Sequence, residues 1–210
     1  FDDFSLVIEH LKKKNNSIIK LGETFSEENL KNFQTKIFTS IDFESNEEVD
    51  YLLNKYSRYN VVGNTGVSSF SSMHRKKTVY INFIPFNLNH LSKCSPGSLI
   101  LPKKIYNKKE ERFLSFKEVN SINFDIHSDD DPYDKYNLTV INNSPQEILD
   151  AVIEMEEILL KKNNDESIEL NDLFWKRITD NNSEEINYLK NEIKLSISTQ
   201  FLKNNQNLYD

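Results

Sequence analysis

The chain has 210 residues, with 26 Lys and Arg against 33 Asp and Glu and a formal net charge of −7. That length has room for one large domain with a core, and 14 Phe and 9 Tyr argue against disorder although hydrophobic residues make up only 37%. The acidic balance excludes a whole-protein basic field for nucleic acid, and a lone Cys94 excludes an internal disulfide. No apolar stretch has the length to span a bilayer and no signal-peptide pattern opens the chain, so a cytoplasmic location is expected. One cysteine and four scattered histidines (His10, His74, His90, His127) also argue against a structural zinc site. The basic runs at 12–14, 75–77 and 108–109 alternate with acidic neighbours and read as solvated surface. Phe1 falls inside an amphipathic pattern, so the chain reads as a fragment that begins within a larger protein.

In chain order, Phe4, Val7, Ile8 and Leu11 recur at helical spacing and predict an amphipathic helix. Asn15 and Asn16 mark a turn, followed by a short strand over 17–21 that ends at Gly22. Ser26 before Glu27 and Glu28 predicts a helix start, 36–43 a short extended piece, and 46–55 a helix with Val49, Leu52 and Leu53 inward. Residues 59–62 predict a strand, 63–66 a tight loop, 68–74 a short helix and 78–84 a strongly apolar strand. Such alternation implies an α/β fold, a mostly parallel sheet with helices on both faces. Residues 85–113 read as a long excursion over the carboxyl edge of the sheet, and 128–136 as a turn. Ser115 with Glu118 suggests a small capped helix, and 137–141 supplies a last strand. Ser144, Pro145 and Glu147 form a capping box ahead of a helix whose buried face includes Ile148, Val152 and Met155. Beyond Asn163 the chain turns polar. Helices over 170–178 and 184–202 divide it into a domain of residues 1–162 and a helical C-terminal tail, 163–210.

The strand, loop and helix at 61–73 form the best site candidate. Gly63 and Gly66 permit a sharp turn and close approach to a ligand, while Thr65, Ser68 and Ser69 add hydroxyls at a helix start. A nucleotide diphosphate fits that pattern, and so does a plain tight turn, since the spacing is neither a Rossmann nor a Walker fingerprint. Lys20 closes the other strand and would point its charge at the same ligand if the two strands run parallel. Asp129, Asp130, Asp131 and Asp134 read as an acidic turn without EF-hand spacing, so no metal site is assigned. Cys94, four residues after His90, lacks an activating third partner, and Trp175 reads as packing of the tail.

Several motifs stand in a fixed order along the chain. They begin with Ile18-Ile19-Lys20-Leu21-Gly22, the strand ending in Gly63, and Asn64-Thr65-Gly66-Val67-Ser68-Ser69. Val79-Tyr80-Ile81-Asn82-Phe83-Ile84-Pro85, Leu101-Pro102-Lys103-Lys104-Ile105-Tyr106 and Lys108-Lys109-Glu110 follow. Arg112-Phe113-Leu114-Ser115-Phe116-Lys117-Glu118 and Asn143-Ser144-Pro145-Gln146-Glu147-Ile148 complete the series. Together they resemble a bacterial family of GT-B-type glycosyltransferases associated with surface-polysaccharide gene clusters. The similarity covers about the first three quarters of the chain, and its loop is more distantly similar to the heptosyltransferases. The resemblance implies the C-terminal, Rossmann-like half of a two-domain enzyme, with a nucleotide-sugar as donor substrate and no cofactor or metal. Gly63, Asn64, Thr65, Gly66, Val67, Ser68 and Ser69 would then hold the donor diphosphate with help from Lys20, where the family more often has Arg. The catalytic base would belong to the missing N-terminal domain, so no catalytic residue is assigned here. Two other readings stay open: a non-catalytic α/β binding or scaffolding domain, and a pyruvyl-transferase-like sugar-modifying enzyme.

Overall fold

The computed structural model describes residues 2–21, 38–39, 47–63, 65–122, 133–162, 164–178 and 188–209. A 3-10 turn at Asp2–Phe4 leads into helix α1 (Ser5–Lys13), which buries Val7 and Ile8. Strands β1 (Ile19–Lys20) and β2 (Phe38–Thr39) pair in parallel as a small separate sheet. Next come α2 (Glu47–Tyr56), β3 (Asn60–Val62), α3 (Ser68–Met73) and β4 (Thr78–Phe83). The expected helix start at Ser26 and the turn residue Gly22 lie outside the described residues.

After β4 the structure departs from the expected excursion. Residues 85–113 hold a short helix α4 (Leu88–Leu91) and three strands: β5 (Leu99–Pro102), β6 (Lys104–Asn107) and β7 (Arg112–Phe113). All four residues of β5 are buried. A strand covered on both faces carries no polar alternation, so a four-residue apolar run gives little sequence signal. Helix α5 (Phe116–Ser121) follows, then β8 (Leu138–Ile141), α6 (Pro145–Leu159) and α7 (Asp165–Ile178). Both expected capping boxes are formed, Ser115 with Glu118 and Ser144 with Glu147.

The predicted strand at 137–141 exists as β8 but does not extend the parallel sheet. It pairs antiparallel with β6, whose other edge carries β7. A second correction concerns 184–202, expected to be helical throughout. A π-helical turn (Tyr188–Ile193) leads instead into β9 (Ser196–Ile197) and then α8 (Thr199–Asn204). The short β9 is fixed by its neighbour, with Leu99 opposite Ser196 and Ile100 opposite Ile197.

The centre is a four-stranded sheet in the order β3, β4, β5, β9, parallel throughout and flanked by helices: an α/β, Rossmann-like architecture. One hydrophobic cluster joins Val79, Ile81, Ile100 and Leu101 of the sheet to Ile148, Val152 and Met155 of α6. Phe174 and Trp175 of α7, Phe201 and Leu202 of α8, and Tyr209 belong to the same cluster. The residues after 163 therefore supply part of the sheet and part of the core. Helix α1 is tied down by charge as well, since His10 and Lys14 reach the buried Glu156 of α6 at 2.7 and 2.8 Å.

Candidate functional site

The chain leaves β3 at Val62 and turns through Gly63 into a loop whose last residues are already helical. Thr65 donates its amide to the Gly63 carbonyl at 3.0 Å. The amides of Ser68, Ser69 and Phe70 donate to the carbonyls of Thr65, Gly66 and Val67 at 3.0, 3.1 and 3.2 Å. The first amides without an acceptor among the described residues are thus those of Gly66 and Val67, not those of α3 proper. Ser68 turns its hydroxyl back onto the Thr65 carbonyl at 2.6 Å, while Thr65, Gly66 and Ser69 are exposed.

Neither glycine is required by the backbone. Gly97 is the described glycine with a positive φ, 69°, whereas Gly63 and Gly66 lie outside the left-handed region. A Cβ on Gly63 would meet only Thr65 Cγ2 at 3.8 Å, an ordinary contact, and one on Gly66 would meet nothing within 4 Å. Two of the chain's four glycines thus occupy a loop that an alanine would fit. Of the other sequence candidates, Asn64 lies outside the described residues, and Lys20 sits in β1, which pairs with β2 and not with the four-stranded sheet.

At the end of β4 the structure reveals an arrangement with no sequence signature. Asn82 adopts φ 50° and donates its amide to Asn143 Oδ1 at 2.6 Å, while its own Oδ1 accepts the Asn143 amide at 2.7 Å. Asn143 Nδ2 completes the junction by donating to the Pro102 carbonyl at 2.9 Å. Beside it, Lys104 pairs with Glu147 at 2.9 Å, where burial opposes the charged carboxyl but this ammonium and the Ser144 amide hold its pKa below the ordinary value.

Cys94 is buried and its sulfur approaches the His90 carbonyl at 3.7 Å, while the His90 ring faces Asn87 at 2.9 Å. Burial pushes the Cys94 thiol up to about 12, which opposes a nucleophilic role. Trp175 is buried against Phe86 and Phe174. Of the acidic turn, Asp134 is described and pairs with Lys108 at 3.1 Å, whereas 128–132 lie outside the described residues. Among the described residues no three His, Cys, Asp or Glu side chains gather in a metal-holding group, and no helix is long and apolar enough to cross a membrane.

A cavity of about 580 Å³ lies along α3, bordered by the 92–96 segment and the turn at Tyr188–Ile193. It does not coincide with the glycine loop, since Ser69 is the loop candidate that lines it. No family model matches this chain, and comparison with curated proteins and with solved structures likewise gives no match.

Proposed function

We propose that this chain is the donor-binding half of a GT-B-type glycosyltransferase, with the β3–α3 loop as the seat of a nucleotide-sugar diphosphate. The observation that carries this reading is the pair of glycines at Gly63 and Gly66. Where neither φ nor packing demands glycine, the remaining physical reason for lacking a Cβ is close approach of another molecule to the backbone. The unused amides of Gly66 and Val67, with the exposed Thr65 hydroxyl beside them, supply hydrogen-bond donors suited to a phosphate. Such donors lower the barrier to transfer by stabilising the charge that develops on the departing diphosphate, and they do so without a metal. The acceptor hydroxyl would be deprotonated by a base on the partner domain, and surface polysaccharide is the acceptor class we favour, in a cytoplasmic setting.

One observation favours the non-catalytic alternative. The first-turn amides of α3 and the Ser68 hydroxyl are already bonded to loop carbonyls, as a purely structural turn would have them. Calorimetric titration of UDP, GDP, CDP and ADP into wild type and Gly66→Ala separates the two. The donor reading expects one nucleotide to bind and its affinity to fall at least about tenfold in Gly66→Ala. Stability of that variant should hold or rise by about 0.4–1 kcal/mol, because alanine restricts the unfolded chain. Equal affinity in both proteins, or silence across the panel with the complete two-domain protein, favours the non-catalytic domain.

A further inference from the structure

We propose that the cavity beside α3 is a second binding site, for a small phosphorylated molecule, at the amino-terminal ends of the parallel strands. The proposal does not rest on the donor reading: it uses the opposite end of the sheet and shares only Ser69 with the loop candidates. Strands β4, β5 and β9 are adjacent and parallel, so the segments that lead into them come together. Each segment delivers a cation: Arg75 and Lys77 before β4, Lys93 before β5, and Lys194 before β9. Arg75 and Lys93 line the cavity, where Glu192 is the one carboxylate among the lining residues. Lys77 donates to the Gly97 carbonyl at 3.3 Å, and burial first and the nearby charge of Lys194 second hold its pKa below the ordinary value.

Like other described lysines such as Lys12 and Lys55, these cations have no carboxylate partner among the described residues; what sets Arg75 and Lys93 apart is that they line one cavity. Lys14, Lys104, Lys108, Lys162, Lys190 and Lys203 each meet a carboxylate within 4 Å. Arg75, Lys93 and Lys194 meet none among the described residues, in a chain whose net charge is −7. Arg75 and Lys93 outnumber the single carboxylate, Glu192, along the cavity, and an anion seated between the two cations lowers their mutual repulsion. A phosphate suits the donors present, because guanidinium and ammonium groups both bind its oxygens strongly.

The neutral lining fits the same occupant. Ser69 and Ser72, three residues apart on one side of α3, line the cavity, and Arg75 joins them from the turn that follows the helix. Ser72 fastens the facing wall by donating to the Lys93 carbonyl. On the far side the half-exposed ring of Tyr188 offers a flat apolar surface for the body of the ligand. At about 580 Å³ the space exceeds a bare phosphate and lies within the roughly 300–1,000 Å³ of small-molecule sites.

The test is isothermal titration of inorganic pyrophosphate, UMP and a hexose 6-phosphate into wild type, Gly66→Ala and the double variant Arg75→Gln/Lys93→Gln. Both substituted cations are exposed, so circular dichroism of the double variant should match wild type. The proposal expects saturable binding that persists in Gly66→Ala, where the donor loop is disabled, and that the double variant weakens at least about tenfold. Whichever of UMP and the hexose phosphate binds more tightly identifies the body that the Tyr188 wall accepts. The absence of saturable binding by all three probes overturns the site. Equal affinity in the double variant, or loss confined to Gly66→Ala, overturns it as well.

Discussion

Glu154 gives the sharpest test of how the C-terminal segment is held to the domain. It projects from α6 and is buried, yet four donors converge on it. Its carboxylate accepts from Ser198 Oγ at 3.0 Å, the Thr199 amide at 2.8 Å, Thr199 Oγ1 at 2.5 Å and Ser167 Oγ at 3.3 Å. Ser198, at the cap position of α8, makes no side-chain cap bond of its own, so Glu154 caps that helix from across the core. In Glu154→Ala the three hydroxyls can rotate toward other acceptors, but the Thr199 amide cannot. One buried unsatisfied donor costs about 1–3 kcal/mol and each lost bond to a charged group is worth about 1.5–3, so a net loss near 3 kcal/mol is expected. At about 2–4 °C per kcal/mol for a chain of this size, Tm falls by about 6–12 °C. Glu154→Gln keeps one acceptor for Thr199 and Ser198 and presents its NH₂ to hydroxyls that can accept, so its cost stays within about 1 kcal/mol. Burial raises the Glu154 pKa despite the four donors. The folded state then holds the proton more tightly than the unfolded state, and this group's contribution to stability declines as pH rises from the ordinary value of 4.5 toward the raised one. Urea unfolding at about pH 5 and about pH 8 should therefore show Glu154→Gln gaining on wild type at the higher pH. If alanine cost less than about 1 kcal/mol, or glutamine as much as alanine, the cap would not exist as described.

Three shorter predictions rest on other junctions. Asn143→Ala removes the acceptor of the Asn82 amide and the donor to Pro102, and should cost about 2–3 kcal/mol in urea unfolding; a loss under about 0.5 would contradict that bridge. Cys94, with its thiol pushed up to about 12 by burial, should resist a disulfide-exchange reagent in native buffer and react once denaturant is added. Reaction of the native protein at the rate of a free thiol would refute its placement. Glu118 is held down at about 2, chiefly by the Arg112 guanidinium and then by the Ser115 amide. Its stabilising contribution is therefore present above its ordinary 4.5 and lost as pH falls toward 2. Solvent screening keeps that contribution small, so the check is a carboxyl titration by NMR, in which a midpoint near 4.5 would refute the pairing.

What could be read from sequence was what local chemistry decides. The apolar run from Thr78, the strand before Gly63 and the capping boxes at Ser115 and Ser144 all stand where their residue types place them. Strands β5 and β9 escaped because their evidence lies in each other. Leu99 and Ile100 become strand residues through pairing with β4 on one side and with Ser196 and Ile197 on the other. The basic run at 75–77 reads as solvated surface, and Arg75 is exposed in the structure, yet it also borders a cavity. Nothing near it in the chain announces that the 92–96 segment and the turn at Tyr188–Ile193 fold against it. Gly66 marks the converse limit, since sequence alone suggests a turn residue and only the structure shows that the turn does not need it.

A parallel sheet sends all its carboxyl ends to one side, but those ends are not equally open to a ligand. The end of β4 is closed by the Asn82–Asn143 exchange and the bridge to Pro102. The end of β5 passes through Lys103 directly into β6, and Lys103 donates its amide back to Phe83 at 3.1 Å. The end of β9 runs into α8 under the Glu154 cap. In each case a protein group already occupies the polar atoms that a ligand would need. The end of β3 differs, because it opens into exposed Thr65 and Gly66 with two amides left over. A ligand on that side of the sheet therefore meets its free donors at β3, on the residue where a single added methyl group is harmless to the fold. That asymmetry makes Gly66→Ala more informative than removal of a hydroxyl, because a loss of nucleotide affinity there has no structural explanation to compete with it.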